Sequence, residues 1–412
     1  MNDAVYIVSA VRTPIGKFGG GLVDFTAADL GVIAVRAALE RAFGDAPTPR
    51  EPGSKASDVA IKPMRYRVDE LIFGNARLAG GGPNPARQVA WRAGLGDDVP
   101  AFTVNQACAS GLRSIILAWQ QIRLGEAHIA VAGGTESMSR VPFLVEGRWG
   151  FKMGHQPLVD AMYRDGFNCP MSQMVMGETA EVLAEQYKIP RDEQDRYALE
   201  TQQRAARAIA ECRFQNEIVG VEKTDKKGKL TRIEKDEHVR ADTTLESLAK
   251  LPPVFSKTGT ITAGNSSGLT DAAAALVLAS EAKVRELNLK PMARIVDATI
   301  AAVEPRIMGI APVPAVRKLE ERIGWKLADY DAVELNEAFA AQVLACDREL
   351  HFDRARLNPN GGAIALGHPI GCTGARITTT LLHELHRGKG KRGLATLCVS
   401  GGMGVALAVE SV

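Results

Sequence analysis

The chain has 412 residues, 46% of them hydrophobic, and a formal net charge of +2, so it is too long for one ordinary domain. The near-balance of charge gives no global attraction to nucleic acid, and no apolar run reaches the ~18 residues of a membrane span. Six scattered cysteines without a CxxC pair argue against a disulfide framework or a zinc site, and point to a reducing, cytoplasmic compartment.

The opening stretch, "MNDAVYIVSAVRTP", passes at once into a buried strand over residues 4–10, which leaves no room for a targeting peptide. Residues 26–43 have helical periodicity, with Thr26 or Asp29 near the start. Residues 44–63 are rich in Pro, Ser and charge and read as an exposed loop. A second strand is predicted over 68–75. The following "GGGP" (residues 80–83) lacks the helix that a phosphate loop needs. "AFTV" reads as the end of another strand, and "LRSIILAWQQIRLG" as a helix. Cys108 lies between them, in the small-residue turn "QACASG". "HIAVAGGTESMS" then reads as a strand ending in two glycines.

From residue 139 to 256 the texture changes to charged helices, one beginning just after Pro190, and a basic stretch around Lys226. This block reads as a lid or loop domain inserted into a core made of residues 1–138 and 257–288. Residues 289–412 form a second core.

The two cores look related. "GLRSIILAWQQIRLG" precedes "AVAGGTESM", and "GARITTTLLHELHRG" precedes "LATLCVSGGMG"; "VDELIFGN" parallels "YDAVELNE". If the halves pack about a pseudo-two-fold axis, the turn at Cys108 meets the turn at His368. Four strand-end turns then carry chemistry: Cys108, Asn336, His368 and Cys398. At a helix N-terminus the dipole lowers a thiol pKa, and an imidazole is a suitable base for acyl transfer. Taken singly, each has a plain alternative: buried structural cysteines, a histidine satisfied by carbonyls, an asparagine in a turn. Glu337 fits either an orienting role toward His368 or Asn336, or a salt bridge. The repeat is what joins the Cys108 and His368 turns. No HExxH, Walker A, GxSxG or GxGxxG pattern competes.

Together "VNQACASG", "GGTESMS", "TAGNSSGLTDAAAA", "NEAFAAQ", "NPNGGAIALGHPIGCTGAR" and "LCVSGGMG" resemble the signatures of the thiolase family, in order and over nearly the whole chain. The resemblance implies an α/β thiolase fold, five layers αβαβα with an inserted loop domain. It implies thiolysis of 3-ketoacyl-CoA and the reverse Claisen condensation. Cys108 matches the acyl-accepting nucleophile, His368 its activator, Cys398 the second acid/base, and Asn336 an oxyanion residue acting with His368. The backbone N–H groups of Cys108 and Ser400 match a second oxyanion hole. Arg240, Ser247, Phe255, Ser267, Met176 and the run near Lys226 match positions contacting substrate or coenzyme A. No permanent cofactor is implied; coenzyme A is a substrate. A homodimer or homotetramer is implied, as is association with other fatty-acid oxidation enzymes.

Two positions depart from the pattern. Val175 stands where short-chain biosynthetic acetoacetyl-CoA thiolases carry a histidine, which favours a broader 3-ketoacyl-CoA thiolase. Ser400 stands where glycine is frequent, and serves only if its backbone needs no positive φ. Cys372 reads as a bystander. A ketoacyl-synthase-like condensing enzyme is disfavoured by Cys398. A non-catalytic CoA-ester-binding subunit is disfavoured by retention of all four reactive residues.

Overall fold

The computed structural model describes residues 4–54, 64–224 and 227–412. The main sheet among the described residues has ten strands, of which Gly16–Lys17 is a two-residue addition to β5; the other nine are β1 (Val5–Arg12), β2 (Glu70–Gly74), β3 (Ala101–Val104), β4 (Ile129–Ser137), β5 (Thr270–Ser280), β6 (Ala293–Ala302), β7 (Ala332–Leu335), β8 (Arg392–Val399) and β9 (Met403–Ser411). The principal helices are α1 (Ala27–Phe43), α2 (Pro85–Arg92), α3 (Ser110–Leu124), α4 (Met176–Gln186), α5 (Arg191–Ala210), α6 (Pro312–Ile323), α7 (Ala340–Leu350) and α8 (Ile370–Gly388).

The repeat read in the sequence appears as matching sheet topology. The first half runs β3-β2-β4-β5-β1 and the second β7-β8-β9-β6. In each half the second-core strand β7 or its counterpart β2 pairs in parallel with the next strand, and the following two pairings are antiparallel. Leu357, bridged in parallel to Val333, occupies the place of β3. Even a bulge recurs, between Ile7 and Ser9 in β1 and between Ile295 and Asp297 in β6. The halves join through β1 and β6, where Tyr6 pairs with Arg294 and Ile7 with Ala293.

Side-chain alternation builds the layers. In β5, Leu276 and Leu278 face the central core, and Val277 and Ala279 face α1 and α2. In β9, Leu407 and Val409 face the centre, and Ala406 and Ala408 face α6 and α7. The central layer is α3 and α8, whose Ile115, Ile116, Ile377 and Leu381 pack between the two half-sheets. Five layers result. α3 and α8 approach closely at two glycines: a Cβ on Gly111 would lie 2.8 Å from the Ala375 nitrogen, and one on Gly374 would lie 2.2 Å from the Leu112 nitrogen. The contact is reciprocal between the repeat's equivalent glycines.

Thr26 caps α1 in a capping box with Asp29, joining the two start signals named above. The reading of "GGGP" needs correction, because α2 does follow it. Pro85 at the first helical position and Asn84 as the cap are the signals that open it. The helix start is nevertheless self-satisfied: the Arg87 N–H donates to Asn84 Oδ1 and the Ala86 N–H to Thr103 Oγ1.

The segment between β4 and β5 carries α4 and α5, and an antiparallel pair, Val221–Thr224 with Leu230–Ile233. Strand β5 begins only at Thr270, so residues 257–269 are loop, and this loop walls the site. Arg12, fully buried, fastens the inserted segment to β1. Its Nε donates to Glu217 Oε1 at 2.6 Å, and Nη1 and Nη2 donate to Asp236 at 2.7 and 2.9 Å.

Candidate active site

A cleft opens where the two halves meet the inserted segment. Cys108, His368, Cys398 and Ser400 line it, with Met138, Phe167, Val175, Met176, Phe255 and Met308. The two turns equated by the repeat therefore share one cavity.

Cys108 is held at a strained corner. Ala107, the residue before it, has φ 45°, a left-handed conformation costly for a residue with a Cβ. The corner is pinned by its neighbours. The Gln106 N–H donates to Ser110 Oγ at 3.0 Å, Ser110 Oγ donates to the Ala107 carbonyl at 2.7 Å, and the Ala107 N–H donates to Asn105 Oδ1 at 3.0 Å. The expectation of a thiol acidified by the helix start is corrected here. Burial raises the Cys108 thiol above its ordinary value; the Ser400 N–H, Arg77 and the Cys108 N–H only partly offset it. Desolvation outweighs these favourable contributions, so the resting group is a neutral thiol that needs a base.

His368 lines the same cleft. It is 7% exposed, and its N–H donates to the Gly268 carbonyl at 3.0 Å. Nδ1 lies 2.6 Å from Thr373 Oγ1, and Nε2 lies 3.4 Å from Asn336 Nδ2. Thr373 Oγ1 is also 3.0 Å from the Pro369 carbonyl and donates its one proton there. The hydroxyl is then an acceptor for Nδ1–H, and Nε2 keeps its lone pair. Burial, with Arg376 and Arg77 adding repulsion, pushes the imidazolium pKa down to about 3, so the ring is neutral at physiological pH.

Asn336, fully buried at the end of β7, donates toward His368, while its Oδ1 has no partner among the described residues. Cys398, 1% exposed on β8, has its thiol driven well above the ordinary value by burial and by the proximity of Cys108 and Cys346. It is a protonated thiol, able to give a proton to carbon. At Ser400 the left-handed backbone falls on the next two residues, Gly401 and Gly402 (φ 89° and 84°), so serine is accommodated without strain.

A buried carboxylate, Glu136 on β4, ties these loops together. It accepts from Asn75 Nδ2 at 2.6 Å and from the N–H groups of Ala76, Arg77 and Gly371 at 3.1, 3.0 and 2.7 Å. Sequence reasoning missed Glu136, Thr373 and Arg77, although all three stand inside or beside quoted motifs. Glu337 orients neither His368 nor Asn336. It accepts from Tyr197, Thr201, Asn358 and the Ile364 N–H, and so couples α5 to the second core.

Toward solvent the cleft continues into a groove sharing Val254, Phe255, Ser266, Ser267, Gly268 and Leu269, and adding Lys17, His238 and Arg240. Of the predicted substrate contacts, Met176, Phe255 and Ser267 line the cleft, and Arg240 the groove. Ser247 lines neither; it is exposed and caps the short helix Leu245–Ala249 through Thr244. Lys226 lies outside the described residues. Val175 lines the cleft as an apolar residue. Cys372 is buried in α8 with its thiol pushed up to about 12 by burial. No group of side chains suited to a metal ion occurs among the described residues.

Comparison with known proteins agrees with this geometry. The chain matches the thiolase N-terminal domain over residues 5–47 and 55–282, and the thiolase C-terminal domain over residues 289–411. It is 48% identical over 408 residues to an acetyl-CoA acetyltransferase of Pseudomonas aeruginosa, covering 99% of each chain. The crystal structure of the Bacillus anthracis acetyl-CoA acetyltransferase superposes with a TM-score of 0.92 at 44% identity, covering 100% of both chains. Human mitochondrial 3-ketoacyl-CoA thiolase in complex with CoA superposes with a TM-score of 0.90 at 42% identity, covering 100% of this chain and 98% of that one. With both domain matches spanning nearly its full length and two half-sheets of the same topology around one reactive cleft, this chain belongs to the thiolase family.

Proposed function

We propose that the protein is an acyltransferase that cleaves 3-ketoacyl-CoA with free CoA, and runs the reverse Claisen condensation, through an acyl group carried on Cys108. The observation that carries this reading is the convergence of Cys108, His368 and Cys398 on one cleft.

Each step uses a group in the state its surroundings favour. His368 Nε2 takes the Cys108 proton as the sulfur attacks the ketone carbon. The developing oxyanion is met by the N–H groups of Cys108 and Ser400. The bond between the α-carbon and the ketone carbon then breaks. Its electron pair becomes the enolate of acetyl-CoA, stabilised by Asn336 and His368. Cys398 protonates the enolate carbon, releasing acetyl-CoA. An incoming CoA thiol returns a proton to Cys398 as its sulfur attacks the thioester on Cys108. The departing Cys108 sulfur recovers its proton from His368, and both cysteines are restored. Cys398 acts as acid in cleavage and as base in condensation, which is what its position beside Cys108 suits.

The apolar cleft, with Val175 in its wall, favours acyl chains beyond acetoacetyl. The groove with Arg240, Phe255 and Ser267 is assigned to the pantetheine arm, and the basic run near Lys226 to the nucleotide phosphates. A homodimer or homotetramer, a cytoplasmic site of action and association with fatty-acid oxidation enzymes complete the reading. Names such as acetyl-CoA acetyltransferase among the relatives favour a second reading, short-chain biosynthetic condensation. Thiolysis of acetoacetyl-CoA and of a longer 3-ketoacyl-CoA tests both. Absence of CoA-dependent cleavage of either refutes the assignment, and the ratio of kcat/KM values decides between the two.

A further inference from the structure

The proposed chemistry needs the Cys108 corner and His368 at a fixed spacing, yet the two come from opposite halves of the chain. His368 stands just ahead of α8, whose cap residue, Pro369, offers no capping side chain. The second residue of α8, Gly371, instead donates its N–H to Glu136 Oε2 at 2.7 Å, reaching β4 in the other half. The approach is close: a Cβ on Gly371 would lie 2.7 Å from the Asn75 Cα. Glu136 is fully buried and takes four donors, two on each oxygen. Oε1 accepts from Asn75 Nδ2 and the Arg77 backbone N–H, and Oε2 from the N–H groups of Ala76 and Gly371. Burial works against the ionised form, while the Arg77 guanidinium, as counter-charge, and the three N–H groups favour it.

The first-half donors lead on to the nucleophile. The Asn75 N–H donates to the Val104 carbonyl at 3.1 Å, and Asn105 Nδ2 donates to the Ala76 carbonyl at 3.3 Å. Asn105 Oδ1 holds the N–H of Ala107, the left-handed residue before Cys108. In the second half, the first turn of α8 presents Thr373, whose hydroxyl holds His368 Nδ1. We infer that Glu136 is a positioning residue for catalysis, a bracket across the joint between the halves that sets the spacing between the Cys108 corner and His368. The inference rests on the thiolase reading. An amide does not replace the carboxylate. It turns one oxygen into an NH2 donor, and in either orientation that donor meets two N–H groups.

The test uses the full-length enzyme with acetoacetyl-CoA and CoA, and a thermal melt of each variant. Glu136→Gln should lower kcat by about 10- to 100-fold, the scale on which a misplacement near 1 Å acts, with KM for CoA within about two-fold. Glu136→Asp, which keeps the carboxylate, should recover part of the loss. If Glu136 served only to neutralise Arg77, adding Arg77→Met to Glu136→Gln would restore kcat; a bracket leaves the double variant slow. Asn105→Ala, at an exposed position, releases only the nucleophile's side. It should lower kcat by at least about three-fold with KM for CoA unchanged, and it decides the matter if the Glu136 variants do not fold. Unchanged kcat in a folded Glu136→Gln or in Asn105→Ala overturns the inference, as does restored kcat in the double variant. Each of these leaves the family reading intact. An unmodified enzyme without CoA-dependent cleavage overturns that reading and the inference with it.

Discussion

Replacing Thr373 by valine removes one oxygen and preserves the shape of the side chain. That oxygen lies 2.6 Å from His368 Nδ1 and 3.0 Å from the Pro369 carbonyl, deep in the start of α8. In the resting enzyme it holds Nδ1–H and leaves Nε2 free to accept. When His368 takes the Cys108 proton, the same bond becomes charge-assisted, worth about 1.5–3 kcal/mol in such settings. Without it the ring is free to carry its proton on Nε2, where it can no longer act as the proposed base. The loss falls on the transition state, so kcat for acetoacetyl-CoA thiolysis should drop roughly 10- to 150-fold. KM for CoA should stay within about two-fold, since the outer groove is untouched. Thr373→Ser should restore most of the rate. Steady-state kinetics of the three proteins, with a thermal melt of each, provides the check. A Thr373→Val enzyme with unchanged kcat would refute the hydroxyl's part in fixing the tautomer.

Other outcomes are equally specific. Cys398→Ala should still accept an acetyl group on Cys108 from labelled acetyl-CoA, yet neither condense nor cleave; intact condensation would remove Cys398 from the mechanism. Gly374→Ala places a Cβ 2.2 Å from the Leu112 nitrogen, so the α3–α8 crossing must open, and stability should fall by about 1–3 kcal/mol in denaturant unfolding. An unchanged midpoint would show that the crossing yields easily. His368 binds a proton near its ordinary pKa of 6.5 when unfolded but only near pH 3 when folded, so its neutral burial makes stability fall as pH drops through that window. His368→Gln should flatten this part of the stability curve between about pH 4 and 7. An equally steep curve in the variant would assign the effect to other groups.

Much of this was legible in the chain. Glycines 111 and 374 sat at equivalent places in two matching segments, and the structure brings them together. Cys108 stood in a small-residue turn after a strand, as read; His368 instead lies between the short helix Ala363–Leu366 and α8, and Cys398 lies within β8, so the repeat rather than the strand-end rule linked them. What was not legible depended on burial. The helix start at Cys108 suggested an acidified thiol, because a local dipole is visible in sequence and desolvation is not. Arg12 closed a plain strand run, and nothing in "VYIVSAVR" signalled its partners Glu217 and Asp236 across the chain. Glu136 and Arg77 were passed over for the same reason: their meaning lies in which groups they meet once buried. The helix after "GGGP" was missed although Asn84 as its cap and Pro85 at its first position open it.

The reciprocal glycine crossing also determines when the enzyme becomes an enzyme. Cys108 and His368 are separated by well over half the chain, and their helices touch only once the second half-sheet has closed over α3. Such long-range contacts form late, after the loop-closure entropy has been met. During synthesis the nucleophile's half is complete long before its base emerges. Until then Cys108 lacks both its base, His368, and the residues Cys398 and Ser400 that complete its cleft. Recovery of activity after unfolding is therefore a clock for the final docking of the two halves, not for the appearance of secondary structure.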